Sequence, residues 1–192
     1  MRNRYLLGLA ILTATILAAR ADIIPTLSPS TPAASGGGFL WNYSVNVTVD
    51  QMVNTGDFFT IYDFGAFTAG SNSQPAGWTF SSSLVGTNPS LVVPADNPNI
   101  LNLTWTYNGT TAITGSSLIG DFSVIAATNQ LRTSDFAAEA TRSNGPNQGS
   151  KVDNVGRVSV PVPEMSALLP ILSVCGAGLL AGVPSFLRRR KN

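Results

Sequence analysis

The sequence predicts an all-β domain, a β-sandwich of jelly-roll or immunoglobulin-like kind, between an N-terminal signal peptide and one C-terminal transmembrane helix. Three observations lead to the β reading. Residues 39–50 alternate strictly: Phe39, Trp41, Tyr43, Val45, Val47 and Val49 fall on one face and Leu40, Asn42, Ser44, Asn46, Thr48 and Asp50 on the other. Further short runs of the same kind follow, punctuated by Gly, Pro and Asn clusters. No stretch between the termini carries the 3.6-residue period and caps of an amphipathic helix.

Taken in order, Met1 to Arg4 supplies a positive n-region and Tyr5 to Ala18 an apolar h-region. Ala19-Arg20-Ala21 fits a signal-peptidase site at Ala19 and Ala21, so residues 1–21 read as a signal peptide and the mature chain begins at Asp22. Residues 22–38, rich in Pro, Ser, Thr and Gly, read as a flexible leader in which Ile23 and Ile24 could extend a sheet edge. Residues 39–160 form the expected sandwich, and its best strand is the alternating run itself, where a one-residue slip would bury Asn and Asp. Asp57 to Phe64 is apolar on both faces, and Gly77 to Leu84 carries Trp78 and Phe80. Ile100 to Tyr107 alternates again, and Asn108-Gly109 predicts a hairpin into Thr110–Thr114. Asp121 to Ala126, the segment around Phe136 to Thr141, and one or two strands around Gly156 complete seven to nine strands.

The last segment, 161–192, has a different character. From Ser166 to Leu187 there is no charged residue, and 22 residues of helix reach roughly 33 Å, enough for a hydrocarbon core of about 30 Å. Helical backbone satisfies its own donors and acceptors in lipid. Arg188, Arg189, Arg190 and Lys191 then act as a stop-transfer block held on the cytoplasmic side. Pro163-Glu164, directly ahead of this span and basic tail, resembles the PEP-CTERM sorting signal of exosortase substrates in Gram-negative bacteria. The resemblance covers only the C-terminal thirty-odd residues. It implies recognition at Pro163, Glu164 and Met165 by a membrane-embedded transpeptidase-like enzyme, followed by cleavage and release or surface attachment. Met165 stands where that motif has its second proline. A plain single-span anchor shares the span and basic block, and a GPI signal shares the apolar tail without a terminal basic block.

Composition narrows the chemistry. The body keeps Arg132, Arg142, Lys151 and Arg157 against nine Asp and Glu, a net charge of −5, which disfavours nucleic acid and anionic lipid. There is no histidine, and the one cysteine, Cys175, lies in the apolar C-terminal run. Histidine-based triads, cysteine nucleophiles and most zinc or copper sites are therefore missing from the body. A carboxylate pair from Asp57, Asp63, Asp121, Asp135 and Glu139 could still cleave a glycosidic bond, Asp63 drawing interest between Tyr62 and Phe64. Asp96-Asn97-Pro98-Asn99 and Asp153-Asn154 have the polar loop chemistry that holds calcium, without an Asp-x-Asp-x-Asp-Gly loop. Trp41, Tyr43 and Trp105 sit in phase with aliphatic neighbours and read as core, whereas Trp78, after Pro75-Ala76-Gly77, is the candidate for stacking on a sugar. Four Asn-x-Ser/Thr sequons, at Asn42, Asn46, Asn102 and Asn108, fit the Asn/Thr-rich outer faces of strands.

The expectation is an exported, non-enzymatic surface or extracellular-matrix protein. Its partners are signal peptidase, the inner membrane and an exosortase-type transpeptidase. A carbohydrate-binding module acting on exopolysaccharide and a histidine-independent glycosidase are the alternatives.

Overall fold

The computed structural model describes residues 23–65 and 67–163. Its strands are β1 (Ile23–Leu27), β2 (Ala33–Ser35), β3 (Gly38–Val47), β4 (Gln51–Val53), β5 (Phe58–Ile61) and β6 (Trp78–Ser83). They continue with β7 (Asn102–Tyr107), β8 (Ile113–Thr114), β9 (Ser117–Ala126), β10 (Leu131–Arg142) and β11 (Lys151–Pro161). No helix occurs among the described residues, so none there could cross a membrane; the expected span at 166–187 and its basic tail lie outside them, as do residues 1–22.

Every pairing is antiparallel. In the four-stranded sheet β3 is central, flanked by β9 on one side and by β1 and β2 on the other. The seven-stranded sheet runs β6-β7-β5-β10, with β11 on the outer side of β10 and β4 and β8 continuing beside it. The architecture is all-β, a curled and nearly closed half-barrel consistent with a sandwich or barrel.

Alternation does what it predicts along β3, where Trp41, Tyr43, Val45 and Val47 are buried. Across the register they meet Val124 and Phe122 of β9. From the other sheet come Phe59, Ile61, Leu103, Trp105, Phe136, Ala138 and Val160. An aromatic cluster joins the sheets: Phe59 stacks on Trp105 with centroids 5.1 Å apart, and Phe122 meets Phe59 edge-on at 5.1 Å. Such pairs add about 0.5–1.5 kcal/mol each beyond burial. The Tyr43 hydroxyl crosses the core to donate to the Ser159 carbonyl at 2.8 Å, and burial pushes its phenol well above its ordinary pKa.

Four expectations change. The leader is part of the fold: β1 pairs with β3 from Ile23↔Val47 to Leu27↔Tyr43, because Ile23 and Pro25 point inward while their neighbours do not. The alternating run ends at Val47; Val49 is exposed, and Asp50, at φ 67, turns the chain toward β4. Asn108-Gly109 makes no hairpin with β7, because β7 already has β5 and β6 on its two sides. The Asn108 and Gly109 amides instead donate to the Gly77 carbonyl, and the chain moves on to pair β8 with β4. The segment around Gly156 is one uninterrupted strand, the glycine making room for the Phe136 ring, whose Cε1 lies 2.5 Å from where a Cβ would stand.

Candidate functional site

Two of the candidate acids, Asp63 and Asp135, meet Asp96 and Asp153 at the outer face of the seven-stranded sheet, and a loop determines their role. Between β6 and β7 the chain makes an 18-residue connection, 84–101, without regular structure. Connections beyond about 12–15 residues are uncommon in compact domains and have to be held by something other than a ladder. Here the fastenings are carboxylates. Asp96 Oδ2 accepts the Gly86 amide at 2.9 Å, Asp153 Oδ2 the Leu91 amide at 2.6 Å, Asp135 Oδ2 the Ala95 amide at 2.8 Å and Asp63 Oδ1 the Asn97 amide at 2.8 Å. The loop is a strap laid over β5, β10 and β11.

Under the strap the sheet face is polar, and at Thr60, Tyr62 and Asn102 its groups are satisfied. Thr60 Oγ1 donates to the Thr87 carbonyl at 3.0 Å and lies 2.9 Å from Thr104 Oγ1. Tyr62 directs its hydroxyl at Thr87 O (2.7 Å) and Asn88 Oδ1 (2.6 Å), and Gly86 rests flat on its ring. Burial raises the Tyr62 phenol pKa, with the Asp96 and Asp135 charges adding to the shift and the Thr60 hydrogen bond opposing it. Asn102, fully buried, accepts the Asp63 amide at 2.7 Å and donates to Asp96 Oδ1 at 2.9 Å and to the Leu84 carbonyl at 3.2 Å. Sequence reading took Asn102 for one of several solvent-facing sequon asparagines; its signal was an Asn between Leu101 and Leu103 in a strand otherwise rich in buried residues.

The other acids have separate employment. Asp57 has no solvent exposure: its Oδ2 accepts the Asn54 amide at 2.7 Å and the Thr141 hydroxyl at 3.0 Å, and its Oδ1 pairs with Lys151. Lys151 also lies 3.1 Å from Glu139 Oε1, so one ammonium bridges two carboxylates. Burial works to lower the Lys151 pKa, but hydrogen bonds and charge from Asp57 and Glu139 outweigh it and the net shift is upward. Asp135 Oδ1 pairs with Arg157 at 2.5 Å. Asp121 is exposed on β9 of the other sheet, apart from the rest. A glycosidase needs two carboxyl groups facing one open cleft. The acids brought close here, Asp57 and Glu139, are joined by a lysine, and one of them is sealed from solvent.

For calcium, no group of three or more acids at ligating distance occurs among the described residues. The Asp96 and Asp153 oxygens that face the loop already accept backbone amides. Trp78 is corrected from a ligand contact to a core residue: it is 5% exposed, its ring 5.0 Å from Phe122 and 5.2 Å from Tyr107. Gly77, at φ 83, turns the chain so that the ring enters between the sheets rather than standing out from them. Trp41 and Trp105 are core, as alternation predicts. Of the sorting motif, Pro163 packs beside Gly65, while Glu164 and Met165 lie outside the described residues, as do Ala19, Ala21 and Arg188 to Lys191.

A groove of about 230 Å³ lies between the edges of β1 and β11, lined by Ile24, Leu27, Ser30, Arg157 and Ser159. Small-molecule sites usually offer about 300–1,000 Å³. No family model, curated protein or solved structure matches the chain.

Proposed function

We propose that the chain is an exported cell-surface or extracellular-matrix protein, sorted through a PEP-CTERM-like C-terminal signal, whose β-domain serves a structural rather than a catalytic role. The finer fold we assign is a β-sandwich of jelly-roll or immunoglobulin kind. The observation that carries the reading is the layout Pro163-Glu164, uncharged run to Leu187, and Arg188-Arg189-Arg190-Lys191, matched at the other end by a signal-peptide pattern closing at Ala21. The engagement of the body's acids supports it: Asp57, Asp63, Asp96, Asp135 and Asp153 hold backbone, hydroxyl or cationic partners within the chain. The carbohydrate-binding alternative has lost its aromatic, since the Trp78 ring lies within the core.

The test is the intact mass of the protein from its native host. A chain running from Asp22 to near Pro163 is the expected result. A chain still ending at Asn192 in a host with its sorting enzyme intact would leave a plain single-span membrane protein and remove the exosortase from the account.

A further inference from the structure

Asp57, Lys151 and Glu139 hold more than an ion pair requires. One cation neutralises the enclosed Asp57 carboxylate, yet the same nitrogen also lies 3.1 Å from Glu139 Oε1. The two Asp57 oxygens differ in their partners. Oδ2 accepts the Asn54 amide at 2.7 Å and the Thr141 hydroxyl at 3.0 Å, while Oδ1 takes Lys151 Nζ. Backbone pairing fixes the group. β10 sets Thr141 opposite Lys151 of β11 on one side and Glu139 opposite Phe58 of β5 on the other. Asp57, just ahead of β5, is anchored at both ends of its peptide: its amide donates to the Asn54 carbonyl at 2.9 Å and its carbonyl accepts the Tyr107 amide at 2.8 Å. An amine, an acid and a second carboxylate are thus held in contact where the acid is sealed from water.

We propose that Asp57 and Lys151 condense to an amide, an isopeptide bond made by the folded chain itself, with Glu139 carrying a proton. Nζ first passes one proton to Asp57 Oδ1, since an environment without water favours the neutral acid and amine over separated charges. The amine lone pair then bonds to Cγ, and Oδ2 takes the negative charge between the Asn54 N–H and the Thr141 hydroxyl, donors already in place. The nitrogen gives its second proton to Glu139. The Cγ–Oδ1 bond breaks, the Oδ2 carbonyl reforms, and Oδ1 leaves as water with the proton that Glu139 returns. An ammonium and a carboxylate become an amide and one water, with no oxidant or cofactor, and Glu139 ends as it began. The two carboxylates hold the ammonium against loss of protons to solvent, so those protons leave through them. The half-exposed Lys151 side gives the water an exit. Until the bond closes, the two side chains remain the ion pair. Once closed, it ties residues 94 apart in sequence and staples the start of β5 to β11 across β10, in a chain whose single cysteine allows no internal disulfide. It needs nothing from the C-terminal signal and stands apart from the sorting reading.

The test is the mass of the full chain, purified folded in detergent and then denatured for measurement. The wild type is expected to be lighter by one water than its residues add up to. Trypsin should fail to cut after Lys151, and residues 143–157 should travel with the peptide that contains Asp57. Lys151→Arg keeps a cation beside the carboxylate but offers a guanidinium that stays charged, and it is expected at its full mass. A folded wild type at full mass overturns the proposal, and so does the same loss of water in Lys151→Arg. Glu139→Gln, with an unchanged circular dichroism spectrum, is expected to condense at least about a hundredfold more slowly and to be recovered mainly open. A folded Glu139→Gln protein condensed as fully as the wild type overturns the part given to Glu139.

Discussion

Asp57 and Lys151 show how much of the chain's charge is structural. The carboxylate is wholly enclosed and the ammonium is its neutralising partner, so Lys151→Met should destabilise the fold by about 3 kcal/mol by leaving a buried charge unpaired. Urea titration of the two proteins checks this, and a change near zero would mean that water reaches Asp57. The same residue scale sets the alkaline limit. Tyr43, Tyr62 and Lys151 all have folded pKa values above their ordinary 10.0, 10.0 and 10.5. Each raised group contributes stability that is whole below the unfolded value, and above it the unfolded chain loses its protons first. The urea midpoint should therefore be insensitive to these three groups up to about pH 10 and fall beyond it, with phenolate absorbance at 295 nm lagging the ordinary tyrosine curve until unfolding. Trp78→Ala should cost about 3–5 kcal/mol, since it empties an aromatic site between the sheets; a stable Trp78→Ala protein would contradict its place in the core.

At the scale of elements, the strap explains what the sequence half disclosed. Asp57 to Phe64 read as apolar on both faces, and β5 within it is indeed buried on both faces, by the core within and by 84–101 without. Period-two patterning identifies a strand's two faces but not what covers them, and a loop fastened through carboxylates leaves no hydrophobic period to read. That is why Asp63 and Asp135 looked like candidate catalysts: an acid among apolar neighbours has the same sequence signature whether it faces a substrate or a backbone amide. Two outcomes follow from the fastening. Gly86→Ala would place a Cβ 2.3 Å from the Tyr62 ring and should lift this end of the strap, destabilising by about 1–3 kcal/mol. Asp153→Ala should free the tip alone, speeding hydrogen exchange at the Leu91 amide while the amides of Ala95 and Asn97, bound to other acids, stay protected. Exchange rising equally at all three would show the strap to be held elsewhere.

For the whole molecule, alternation at β3, β7 and β9 was enough to name the core, because each buries one face against the other sheet. Strand order was not legible, since β10 takes β11, β5 and β4 as neighbours through contacts as remote as Glu139 with Phe58. The leader was half read for a related reason: Ile23 and Ile24 do extend the sheet, but the Pro, Ser, Thr and Gly content of 22–38 suggested a linker, whereas an edge strand accepts Pro25 where no ladder bond is needed. Because Phe59, Trp105 and Phe122 tie the two sheets into one aromatic cluster, tryptophan fluorescence and far-ultraviolet dichroism should follow a single urea transition. Separated midpoints would mean that the sheets unfold independently.

Asn88 and Asp96 are held through their side chains, but at Leu91, Ala95 and Asn97 the strap's fastenings grip amide hydrogens, which nineteen of the twenty amino acids supply. At these three positions the carboxylates are therefore blind to identity, proline excepted, and Val85 and Val93 turn their side chains to solvent. The protein thus separates how a segment is mounted from what that segment says: its wording can be rewritten, by natural drift or by a combinatorial library, while the clasps that pin it to the sheet remain the same.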